Sequence, residues 1–143
     1  MIKKHRIVID TNLWISFLLS KQFSFIDKLL RNRNVQLVFS AELLLEFLDV
    51  VKRPKLKRYF AKTDIDNLLE IIEEYAEFTT VTSMVDLCRD KKDNFLLALA
   101  KDSSSDYLIT GDSDLLVIKK FEETEIITIT EYKIKIDIKL TKI

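Results

Sequence analysis

Glycine, proline, cysteine and histidine are nearly missing: the 143-residue chain has one of each, Gly111, Pro54, Cys88 and His5. One cysteine excludes an internal disulfide and a thiolate zinc site. One histidine removes histidine-rich metal centres and argues against a Ser-His-Asp triad. One glycine leaves no material for a P-loop or a dinucleotide fingerprint. An excess of charge is missing too, since 23 basic residues balance 23 acidic ones. No global field therefore draws the chain to nucleic acid, and any such affinity must come from a local patch. No apolar run approaches the roughly 20 residues that span a bilayer. The start, Met1-Ile2-Lys3-Lys4-His5-Arg6, leads directly into a strand pattern rather than a secretory leader. The expectation is a cytoplasmic protein with no membrane association. If it is an enzyme, its chemistry must run on carboxylates, hydroxyls, amides or Lys/Arg, which points to a hard metal held by oxygen.

What is present is a globular composition, 48% hydrophobic and 32% charged, expected to fold as one domain over 1–143, with 130–143 a C-terminal strand or tail. Two stretches stand out. Ile7-Val8-Ile9-Asp10-Thr11-Asn12 reads as a buried strand that stops at an acid, with Asn12 offered as the cap of the next helix. Tyr107-Leu108-Ile109-Thr110-Gly111-Asp112-Ser113-Asp114 repeats that shape downstream. A strand ending in acid at a turn into a helix is where open α/β sheets place ligand chemistry. The plainer alternative is that each Asp only caps its helix.

Between them the pattern predicts short helices over 13–19 and 23–30, a strand over 35–39 closed by Ser40 as a cap, and a helix over 41–52. That helix carries Glu42, Glu46 and Asp49 on one face, which simple solvation would explain. Lys52-Arg53-Pro54-Lys55-Leu56-Lys57-Arg58-Tyr59-Phe60 is the concentrated basic segment. It reads either as a solvated face or as a phosphate-binding strip, with Tyr59 or Phe60 stacking on bases. A long helix over 63–78 capped by Thr63 or Asp64, an extended stretch at 79–82, a helix over 94–100, a helix over about 114–121 and a strand over 126–129 follow. Lys133-Ile134-Lys135-Ile136-Asp137-Ile138-Lys139-Leu140 alternates strictly, the pattern of an edge strand with one wet face.

This order predicts an α/β fold, three-layer αβα, with a central, mainly parallel sheet. Right-handed crossovers bring the carboxyl ends of parallel strands to one edge, so Asp10 and Asp112 should meet there, with Asp114 and Asp93 in range. Carboxylates about 4 Å apart repel by roughly 4 kcal/mol at an effective dielectric near 20. They persist together only as protonated groups or around a cation, for which Mg²⁺ or Mn²⁺ is the natural choice.

These motifs together resemble the PIN-domain ribonucleases. VIDTN at 8–12 is similar to the family's opening motif, and SAELLLEF at 40–47 with KRPKL at 52–56 to its second block. RDKKDNFLLALA at 89–100 and LITGDSDLL at 108–116 are similar to its third and fourth blocks. The likeness is greatest to bacterial toxins of toxin–antitoxin pairs. One departure is Lys91, where the third block usually has proline. The resemblance implies a ribonuclease using Mg²⁺ or Mn²⁺, with Asp10, Glu46, Asp93 and Asp112 as catalytic metal ligands and Asp114 helping to hold the metal. It places Glu46, not Glu42 or Asp49, over the pocket. It implies an RNA substrate, an antitoxin protein as partner and a homodimer. Thr11, Asn12 and Thr110 would orient water or carboxylates, and Lys52, Arg53, Lys55, Lys57 and Arg58 would bind RNA. Competing readings are an inactive PIN-like RNA-binding or protein-interaction module and an acid-based phosphatase, since Asp112-x-Asp114 also resembles the nucleophile motif of haloacid-dehalogenase-type enzymes. A receiver-like domain would want an acidic neighbour for Asp10, which the sequence does not provide.

Overall fold

Strand β1 (His5–Ile9) is the centre of the molecule because Ile7, Val8 and Ile9 are wholly buried, as a strand covered on both faces requires. A computed structural model describes residues 4–20 and 23–141 of the chain. The expectation of no leader rests partly on residues 1–3, which lie outside the described residues, as do 142–143 at the end of the expected domain. From β1 the chain runs through α1 (Thr11–Leu19), α2 (Phe23–Arg31), β2 (Val35–Phe39), α3 (Ala41–Val51), α4 (Pro54–Lys57), α5 (Lys62–Tyr75) and β3 (Glu77–Phe78). It continues through α6 (Lys91–Asp102), β4 (Tyr107–Ile109), α7 (Ser113–Leu116), β5 (Lys120–Phe121), β6 (Thr124–Ile127) and α8 (Ile129–Thr141).

The six strands lie in the order β3-β2-β1-β4-β6-β5. All neighbours are parallel except β5 and β6. Ile9 stands opposite Ile109, which stands opposite Ile127. Register thus puts the ends of β1 and β4 side by side. Helices flank the sheet, giving the predicted three-layer α/β architecture. Trp14, Phe39, Phe47, Leu97 and Leu99 are fully buried between the layers.

Several local expectations need correction. The alternating tail is helix α8, not an edge strand. Thr128 and Glu131 form a capping box at its start: the Thr128 hydroxyl accepts from the Glu131 amide at 3.2 Å, and the Glu131 carboxylate accepts from the Thr128 hydroxyl at 3.1 Å. Tyr132 is then fully buried, with its hydroxyl 2.8 Å from His5 Nε2 and its ring edge-on to Tyr107. A helix nucleated and anchored in this way overrides the period-two pattern, and β5 already occupies that edge of the sheet. The side chains of 137–141, on which the expected wet and dry faces also depended, lie outside the described residues.

Capping by acids explains the other shifts. Asp10, not Asn12, is the N-cap of α1. Asp90 accepts from the Lys92 amide at 3.0 Å and starts α6 earlier than expected. Neither Thr63 nor Asp64 caps α5, whose N-cap is Ala61. The helix after Asp112 stops at Leu116, and the chain turns through Lys119 in the left-handed region (φ 66°) into β5. The stretch at 79–82 is an extended link rather than a strand, the helix expected to reach 78 ends at Tyr75 with β3 following at 77–78, and the strand expected at 126–129 is β6, ending at Ile127.

Candidate metal centre

One hydroxyl ties the ends of β1 and β4 together. Thr110, fully buried, donates from Oγ1 to Asp10 Oδ2 at 2.8 Å and accepts from the Asp112 amide at 3.0 Å. Asp10 therefore faces the turn after β4 while its other oxygen accepts from the Asn12 amide at 3.4 Å. Asp112 caps α7, accepting from the Asp114 amide at 2.9 Å. Asp93 arrives from the first turn of α6 and is only 5% exposed.

Carboxylate oxygens of Asp93, Asp112 and Asp114 all lie within 4.8 Å of one another. Burial pushes the Asp93 carboxyl up to about 7, with the Asp112 charge, a hydrogen bond to Asp112 and the charges of Asp90 and Asp10 adding to it. Asp10 is also raised, chiefly by burial, against the opposing hydrogen bond from Thr110. These acids cannot all ionise together without a cation, because each new charge enters a buried site already holding others. Asp93 Oδ2 is moreover buried with no hydrogen-bond partner. An all-oxygen donor set with an unsatisfied buried carboxylate oxygen fits a hard divalent cation.

Asp10, Asn12, Leu13, Gly111 and Asp112 line a cleft of about 270 Å³ at this edge. Gly111 is exposed, and a Cβ added there would meet nothing within 4 Å. Thr11 is buried with its hydroxyl unpartnered. Glu46 is half-buried on α3, whereas Glu42 and Asp49 are exposed and Asp49 pairs with Arg53 at 3.4 Å. Asp10 and Glu46 stand outside the three-acid group. The strip of Lys52, Arg53, Lys55, Lys57 and Arg58 is exposed along its length. Arg58 lies over the Tyr59 ring at 4.9 Å.

Sequence reasoning passed over Asn94. Its side-chain carbonyl accepts from the Leu87 and Cys88 amides at 3.0 and 2.6 Å, and its amide donates to the Cys88 carbonyl at 3.0 Å. This clamp draws the extended chain before α6 toward the acids, leaving Cys88 Sγ 4.0 Å from the Asp114 carbonyl. Burial pushes the thiol up, and the charges of Asp93, Asp112, Asp114 and Asp90 push the same way. The available signal was an amide directly after an acid in a helix otherwise apolar nearly all round.

Fold and site define a class: an α/β protein whose parallel strands end at a carboxylate centre suited to a divalent cation. Residues 6–114 match the model of the PIN domain family, well over half of the chain, and the protein belongs to that family. PIN domains are generally metal-dependent nucleases, and PIN nucleases act on RNA. No curated protein matches the sequence.

Proposed function

We propose that this protein is an Mg²⁺- or Mn²⁺-dependent endoribonuclease, the cytoplasmic toxin of a type II toxin–antitoxin pair, folded as one PIN-like domain over 1–143 and acting as a homodimer. The observation that carries the nuclease reading is the buried, unpartnered oxygen of Asp93 beside Asp112 and Asp114. In this reading Asp10, Glu46, Asp93 and Asp112 hold the metal and are catalytic, and Asp114 completes the donor set. The bound cation would supply a water of lowered pKa and steady an in-line displacement at phosphorus.

The chain's own groups prepare that site. Thr110 ties Asp10 to the turn carrying Asp112 through one hydroxyl. A cation held there would displace the Asp93 proton, so cation affinity should rise with pH through about 7. Asn12 offers a donor at the cleft for a phosphate oxygen or the attacking water, and Thr11, buried beside it, would orient a carboxylate. Glu46 is assigned over its neighbours because it alone of the three α3 acids is withdrawn from solvent. Lys52, Arg53, Lys55, Lys57 and Arg58 hold the RNA backbone. Exchanging Arg53 and Lys55 for alanine should weaken RNA binding and flatten its salt dependence while leaving the rate at saturating RNA nearly unchanged.

Incubating labelled RNA with the protein and Mn²⁺ tests the reaction. The expected result is internal cleavage leaving 5′-phosphate and 3′-hydroxyl ends, abolished in Asp10→Asn. Full activity in that variant would end the metal-nuclease reading. Turnover of a small phosphomonoester without RNA cleavage would assign a phosphatase instead. Growth arrest on expression, relieved by the product of an adjacent small gene, tests the toxin role.

A further inference from the structure

Away from the acids, α3, α4 and α5 enclose a groove of about 580 Å³, roughly twice the metal cleft. Its floor is apolar: Leu48, Phe60, Ile65 and Leu69 line it and are all only half-buried. Leu48, Phe60 and Ile65 pack against the core on one side, and the groove they line with Leu69 is uncovered in the isolated chain. Lys52, Lys57 and Lys62 stand on its walls with Asp66 as the single acid, and all four are exposed.

We propose that this groove docks an amphipathic protein segment, a row of large apolar side chains flanked by carboxylates. A helix seated in a groove anchors through apolar residues three and four apart, and the floor offers a contiguous apolar bed for them. The three ammonium groups against one carboxylate select an acidic flank. RNA suits the walls but not the floor, where Phe60 is the one ring available for a base among aliphatic side chains. A second copy suits the floor but not the walls, because a two-fold contact would bring lysines against lysines. The acidic amphipathic partner satisfies both.

Lys52 and Lys57 also belong to the strip assigned to RNA. An occupant that neutralises them competes with RNA without touching the acid centre. That competition rests on the nuclease reading, whereas the docking itself does not.

The test uses the full chain and a fluorescent synthetic peptide with leucines at helical spacing and glutamates between them. A control peptide carries lysines in place of the glutamates. Fluorescence anisotropy should show the acidic peptide binding at least about tenfold tighter, with the preference shrinking in high salt. Leu69→Glu and the double variant Lys57→Glu/Lys62→Glu should each weaken it by about tenfold or more. Circular dichroism checks that both variants are folded. Equal binding of the two peptides, or binding of neither, overturns the proposal. So does loss of oligouridine binding in Leu69→Glu, which would place RNA in the groove. So does a dimer seen by sedimentation that Leu69→Glu dissolves. Where RNA is cleaved, the acidic peptide should raise the RNA concentration needed for half-maximal rate and leave the saturated rate unchanged. Peptide binding in a protein that cleaves nothing would remove the nuclease reading and leave the docking in place. Cleavage without peptide binding would do the reverse.

Discussion

The two ends of the parallel sheet treat polar side chains in opposite ways. At the amino ends of β1, β4 and β6 the named groups find partners. Arg6 forks onto Glu77 at 2.6 and 2.9 Å, donates from Nε to the Ser103 carbonyl at 2.8 Å, and its amide meets Asp106 at 2.8 Å. Ser103 and Ser105 share a hydroxyl contact at 2.6 Å, and Thr124 donates to the Ser105 carbonyl at 2.6 Å. At the carboxyl ends like charges face one another. Among the described residues, the buried side-chain polar atoms lacking a partner are Thr11 Oγ1, Trp14 Nε1 and Asp93 Oδ2. All three sit in the first turn of α1 or α6. An unsatisfied buried polar atom costs about 1–3 kcal/mol, so one end of the sheet holds the fold, and at the other the Asp93 oxygen beside Asp112 and Asp114 carries strain that a cation can relieve.

The largest expected effect breaks the contrast at its acidic end. Asp112→Asn should lower Mn²⁺-dependent RNA cleavage by orders of magnitude, while thermal melting without metal stays unchanged or rises because a repulsive charge has gone. A melting temperature that falls sharply would mean this carboxylate is structural. The reverse is expected at the other end. Arg6→Ala should cost about 1–2 kcal/mol in urea denaturation, discounted because Glu77 is half exposed, with activity per folded molecule intact.

A subtler difference concerns pH. The Asp93 carboxyl sits at about 7 in the fold against an ordinary 3.8. Its protonated form is favoured by the folded state, so its contribution to stability is complete below about pH 4 and is lost as pH rises through 7. Metal-free protein should therefore melt at progressively lower temperature between pH 4 and 7 on account of this group, and Asp93→Asn should flatten that slope. Saturating Mn²⁺ should oppose the loss. An unchanged slope in Asp93→Asn would remove the electrostatic strain from the account. The smallest effects belong to α3: Glu42→Gln and Asp49→Asn should alter stability by no more than about 0.5 kcal/mol and cleavage hardly at all, whereas Glu46→Gln should impair cleavage. Activity lost in Glu42→Gln but kept in Glu46→Gln would move the α3 assignment to Glu42.

Much of this was legible in the sequence because burial writes itself into composition. Ile7-Val8-Ile9 and Tyr107-Leu108-Ile109 announced central strands, and the acids after them announced the edge where they meet. Capping was legible but undervalued: Asp10, Asp90 and Asp112 each begin a helix as well as facing or flanking the site. The tail misled because its alternation was stronger than the Thr128–Glu131 capping box before it, whose weight depends on Tyr132 finding a buried seat. That seat lies against His5 and Tyr107, a tertiary contact that no local pattern expresses. The Asn94 clamp stayed hidden for the same reason, since its partners are backbone amides rather than a motif.

Gly111 leaves a handle for chemistry. Glycine is not needed there for backbone shape, since its φ is not positive and a Cβ would meet open space. The position therefore behaves as an adjustable aperture between the two strand ends. Alanine, then leucine, then a photo-crosslinking phenylalanine analogue could be introduced there in turn, the first of them meeting no neighbour at its Cβ. Such a series would gauge how much room a molecule bound beside Asp10 and Asp112 needs, and the crosslinker would capture it.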